Sequence, residues 1–248
     1  MTFMTPPSPS AAVLERELRE IFGQRLESLV AYGLPRAAPA QHRASGAHRD
    51  APRTQTLAIV TTLTLDDLTR CSDKAAGWHE AGLATPLLLA AHEFERSLDA
   101  FPLEFGAILA DHTVVTGKNP FEGLQVSTAD LRRACEVQAR SHLLHLREGF
   151  LETRGRGDAL AVLIVRSAGP FAALTASLSR LEGQPISDAE AAGLHTEHTL
   201  QLPPGAITDI VKLVHVHEIP SAEARRIFPA YLNAADRLVQ YIDSWSAR

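Results

Sequence analysis

Cysteine is nearly absent: Cys71 and Cys135 are the two in 248 residues, far apart and in no C-x-x-C pair. That argues against a disulfide scaffold, a zinc knuckle or a redox motif, and a reducing, cytoplasmic setting is the expectation. Excess positive charge is missing too. A net charge of -5 gives no global field to hold nucleic acid, although a local basic patch could still do so. No segment has eighteen consecutive apolar residues, so no membrane partner is expected. The opening MTFMTPPSPS lacks the cationic and apolar regions of a signal peptide. No internal repeat is visible.

What is present is ordinary for a folded chain: 45% apolar and 21% charged residues, in a length that suits one large domain or two smaller ones. Residues 1–9, rich in Pro, Ser and Thr, read as a disordered lead-in. Ser10 is placed to cap a helix running to about residue 27, and Leu29-Val30-Ala31-Tyr32 reads as a first strand ended by Gly33. Residues 34–53 carry no periodicity that would bury a face, and read as a loop. A second strand is expected over 56–63, then a helix over 65–81 capped by Thr64, with Asp66 and Asp67 in its first turn where the dipole favours them. Further strands are expected at 86–90, 101–109 and 114–115, with a short helix at 93–99 and a turn cluster at 117–120.

After Ser127 the pattern becomes helical. Leu131, Cys135, His142 and Leu146 mark one long helix, and Leu160, Ile164, Phe171, Leu174 and Leu178 a second, with Gly169-Pro170 expected to kink or break it. A shorter helix is expected at 206–217, and a last one marked by Phe228, Tyr231, Leu238, Ile242 and Trp245. The fold class is therefore α+β: a small mixed sheet with helices over 10–125, then an all-helical bundle over 126–248.

The stretch LLLAAHEFERSLDAFPLEFGAILADHTVVTGKNPFEGL (87–124), followed by LRRACEVQARSHLLHLREGFL (131–151), resembles the nucleotidyltransferase-fold family, which includes aminoglycoside and minimal nucleotidyltransferases. The resemblance covers most of the chain and implies a nucleotide site on the sheet with Mg²⁺ held by carboxylates. The chain departs from that pattern at the chemistry. Where the family has Gly-Ser after the first strand, this sequence has Gly33-Leu34. Where the family's next strand opens with two carboxylates on alternate positions, this one has Thr54 and Thr56. A neutral hydroxyl is a poor ligand for a hard divalent cation that must also hold a polyphosphate. The third acidic position matches Glu104, expected on the 101–109 strand, and Lys118 is a candidate phosphate contact. Asp50 is a candidate replacement acid, in a basic loop at 41–53 that also holds His42, Arg43, His48, Arg49 and Arg53.

Other groupings carry less. His142/His145 and His195/His198 are spaced i,i+3, and His215/His217 would share a face only on an extended segment; no third metal ligand is identifiable from spacing for any of them. Arg140 and His145 resemble the R-x4-H motif of HEPN ribonucleases, but on a continuous helix they diverge by about 140°. Neither cysteine has a base beside it, and no serine sits in a G-x-S-x-G elbow.

The reading is a nucleotidyltransferase-like protein without its metal-binding carboxylates, a pseudoenzyme that binds a nucleotide or a protein partner in the cleft between its halves. No catalytic residue is assigned, and no cofactor is expected. The alternatives are an active Mg²⁺-dependent nucleotidyltransferase using rearranged acids, with nucleotide and Mg²⁺ bound, and a structural interaction module. The oligomeric state is left open.

Overall fold

The computed structural model describes residues 9–33 and 53–246. The chain divides into two compact units, Met1–Gln125 and Val126–Arg248. The class is α+β, a small mixed sheet with helices followed by an all-helical unit.

The first unit opens with α1 (Pro9–Phe22), whose Leu14, Leu18, Ile21 and Phe22 are buried at helical spacing. A short 3-10 turn leads into β1 (Leu26–Tyr32), and β2 (Gln55–Val60) pairs antiparallel with it. Next come α2 (Leu65–Glu80), β3 (Leu87–Ala90) parallel to β2, α3 (Ala91–Ala100), α4 (Pro102–Ala110) and β4 (His112–Gly117), antiparallel to β1. The sheet order is β3-β2-β1-β4. Alternate residues of β2 serve opposite faces. Ala58 and Val60 pack with Leu29 against α1 and against Cys71 and Trp78 of α2. Leu57 and Ile59 pack with Val30 against Phe94 of α3 and Phe105 and Ile108 of α4.

The start of α2 is fixed locally. The Thr64 hydroxyl accepts from the Asp67 backbone N–H, and the Asp67 carboxylate accepts from the Thr64 N–H at 3.0 Å. The same carboxylate takes both ends of the Arg25 guanidinium, at 2.7 and 2.8 Å, and those bonds hold it well below the usual carboxylate range.

The segment expected as a fourth strand at 101–109 is instead the helix α4. Pro102 stands in its first turn, where a missing N–H costs nothing, and Pro102, Phe105 and Ile108 are buried three apart. A short apolar run does not by its periodicity tell a strand from a buried helix.

The second unit consists of α5 (Thr128–Thr153), α6 (Gly157–Leu181), α7 (Ala189–Thr199), α8 (Thr208–Val211) with a 3-10 turn after it, and α9 (Ser221–Ser244). The helix expected over 206–217 is thus one α-turn and one 3-10 turn. α5, α6 and α9 pack on one another, and α7 and α8 lie against α6. α5 and α6 approach so closely that a Cβ on Gly149 would meet the Leu163 side chain at 2.6 Å. α6 does not break at Gly169-Pro170: Ala168 and Phe171, on either side, are fully buried and their packing holds the helix through it. By length and composition α6 is apolar enough to cross a membrane, with a mean hydropathy of 1.7, and its buried residues face the other helices of the bundle.

Candidate functional site

The five expected site positions fall in three different places. Gly33 follows β1 in a left-handed conformation, φ +58°, against the Gln55 side chain. Thr54 lies beside it, bridged to Leu83: its N–H donates to the Gly82 carbonyl at 3.0 Å and its carbonyl accepts from Ala84 at 2.9 Å. Thr56 pairs with Ala31 and shares its face with Ala58 and Val60, the face that α1 and α2 cover. Gly33, Thr54 and Thr56 therefore share one end of the β1–β2 pair.

Glu104 does not join them. It stands exposed in the first turn of α4, the helix covering the opposite face of the sheet. Lys118 is remote in another direction. It follows Gly117, which pairs with Ser28, whereas Gly33 follows Tyr32 at the far end of β1, about 13 Å of strand away at ~3.3 Å per residue. The Lys118 carbonyl accepts from the Ser28 hydroxyl at 2.8 Å. Asp50, with His42, Arg43, His48 and Arg49, lies outside the described residues, so the proposed replacement acid and nearly all of the basic loop do too.

The surroundings of Thr56 are apolar. Its side chain is 1% exposed, and its hydroxyl has no hydrogen-bond partner among the described residues. An enclosed hydroxyl left unpaired costs about 1–3 kcal/mol, and an enclosed carboxylate without a cation would cost more. Two threonines on one face can offer neutral oxygens. They cannot supply the negative cage that magnesium and a triphosphate require.

The histidine pairs do not act as pairs. His142 is buried, with Nε2 2.7 Å from the Tyr231 hydroxyl and its ring stacked on Phe171, while His145 turns outward to Glu148 at 3.3 Å. Burial holds His142 down to about 4. Tyr231 in turn donates to the Ser167 hydroxyl at 3.0 Å, and burial pushes its phenol up. Arg140, the other half of the R-x4-H pattern, is bonded to Asp243 at 2.7 Å, so it and His145 face different partners. His195 meets the Glu182 carboxylate at 2.6 Å, while His198 is exposed on the same helix. His215 and His217 are both exposed. Among the described residues no three His, Cys, Asp or Glu side chains gather as a metal site. Burial pushes the Cys135 thiol up to about 12, and raises that of Cys71 as well.

One cluster has only a partial trace in the sequence. The Tyr241 hydroxyl donates to Glu182 Oε1 at 2.5 Å while His195 holds Oε2, so a phenol, a carboxylate and an imidazole from α9, the end of α6 and α7 converge. His195 is visible as half of a spaced pair. Its acid and its phenol come from other helices, and no local spacing points to them.

No protein-family model matches the chain, and no curated protein matches it. The site has to be read from its own geometry.

Proposed function

We propose that this is a nucleotidyltransferase-like protein that acts by binding, a nucleotide or a partner, and does not transfer a nucleotidyl group. One observation carries the reading. The strand positions at which the resemblance calls for carboxylates hold Thr54 and Thr56 on the face under α1 and α2, while the surviving acid candidate, Glu104, belongs to a helix on the opposite face. The donors present do not fit Mg²⁺, which takes carboxylates and phosphate oxygens in a tight octahedral shell. In-line phosphoryl transfer depends on that metal to fix geometry and spread charge, and no step of it can be written through these side chains.

The test is calorimetric titration with ATP, GTP, CTP and UTP, each with and without Mg²⁺, beside an assay for label transferred from nucleotide to a hydroxyl or amine acceptor. Binding that needs no metal, with no transfer, is the expected result for a nucleotide binder. No binding in either condition points to a protein partner. Micromolar binding that requires Mg²⁺, or any turnover, overturns the reading and directs mutagenesis to Asp50.

A further inference from the structure

Within the helical unit, the ends of α6 and α9 and the start of α5 border a cavity of about 630 Å³, lined by Thr128, Leu181, Glu182, Tyr241, Ser244 and Trp245 among others. Small-molecule sites span roughly 300–1,000 Å³. Among the described residues that line it there is no lysine or arginine.

The one charged group among the described lining residues is built into place. Glu182 is 13% exposed at its side chain, with one oxygen held by Tyr241 from α9 and the other by His195 from α7. A carboxylate has about four lone-pair sites, so two remain for a ligand. Tyr241 and Trp245, four residues apart and both half-buried, line the same cavity.

Arg132 and Arg180, described cations on the same helices, are engaged elsewhere. Arg132 donates to the carbonyls of Asp243 at 3.0 Å and Trp245 at 3.1 Å and pairs with Glu136, so it answers the negative end of α9. Arg180 donates to the Ser177 hydroxyl at 2.7 Å and does not line the cavity. Among the described residues, a held carboxylate, two aromatic residues and a few hydroxyl-bearing ones line the space. A carboxylate beside aromatic faces is the chemistry that holds an organic cation, by charge on one side and ring quadrupole on the other.

We infer that this cavity binds a small organic ammonium ion, with Glu182 as its counter-charge and Tyr241 and Trp245 against its alkyl groups. The inference is independent of the nucleotidyltransferase resemblance.

The probe is choline, compared with 3,3-dimethyl-1-butanol, its neutral analogue of the same shape. Binding is read by calorimetry and by tryptophan fluorescence. Of the two tryptophans, Trp78 is 1% exposed in the other unit, which leaves Trp245 as the reporter. Saturable choline binding is expected, roughly tenfold or more tighter than the alcohol, and lost by a similar factor in Glu182→Gln. In Trp245→Leu, followed by calorimetry, choline should also bind more weakly. Equal affinity for choline and the alcohol, unchanged choline binding in Glu182→Gln, or no saturation by roughly 10 mM choline would overturn the inference. A circular dichroism melt of each variant separates lost binding from lost fold. Should Glu182→Gln unfold, the choline and alcohol comparison on the unaltered protein and Trp245→Leu still decide it.

Discussion

Thr56 carries an enclosed hydroxyl with no partner among the described residues, and that makes it the most informative single residue of the sheet. Thr56→Val removes the hydroxyl and keeps the shape, so it should leave stability unchanged or raise it by about 1 kcal/mol in urea denaturation. Thr56→Asp, which restores the acid the family pattern wants, should cost about 3 kcal/mol or more, since the described residues set no cation beside it. A tolerated aspartate would mean that a cation reaches the site. His142 makes a different claim, about pH. Its folded value of about 4 lies below the ordinary 6.5, so the unfolded chain takes up the proton first. The neutral ring's contribution is complete above about pH 6.5 and is lost progressively as pH falls toward 4, on the order of 3 kcal/mol in all. His142→Gln keeps a hydrogen-bonding group but cannot titrate, and urea midpoints across that window should flatten in this variant. An undiminished slope would place the acid sensitivity elsewhere.

Elements differ in how much of them a sequence can show. The N-terminus of α2 is legible because Thr64, Asp66 and Asp67 lie within one turn, and their capping chemistry is local. Thr64→Ala should accordingly lower stability by about 1 kcal/mol, seen as an earlier thermal midpoint. β4 depends on something less local. A Cβ on Gly117 would sit 1.9 Å from the Glu27 carbonyl oxygen, and the residue's φ is +80°, so Gly117→Ala is excluded both by contact and by conformation. That variant should lose several kcal/mol or fail to fold, whereas Gly123→Ala, with a similar φ and open space around it, should cost far less. α4 was illegible for the opposite reason. FPLEFGAIL satisfies a strand and a buried helix equally, and its packing on Phe94 and Leu57 decides between them. The same element decides where Glu104 stands, because the sheet face that a carboxylate occupies depends on the path of the whole chain. Thr54 and Thr56 were placed together by strand alternation, which is local. The meeting of Glu182, His195 and Tyr241 spans three helices and leaves no local signature.

For the whole molecule, the division at Gln125 and Val126 is the main structural fact. The helical unit holds its own core, with Leu146, Ile164, Phe171, Leu174, Tyr231 and Leu238 all under 3% exposed. Residues 126–248 expressed alone should therefore give a helical circular dichroism spectrum and a single cooperative melt. A broad, non-cooperative transition would show that this core needs the rest of the chain.

The sheet order has a consequence in time. β1 is an inner strand, yet its partner β2 begins only at Gln55 and its other partner, β4, at His112. During synthesis one edge of β1 stays open until β2 has been made, and the other until β4, when nearly all of the first unit is present, because the pairings that close them are non-local. The helical unit has no such wait: α5 and α6 meet as neighbours through a short turn. Folding should thus proceed at two speeds, with the first unit as the slow step and its apolar β1 as the segment for which a chaperone, or a second nascent chain, would compete.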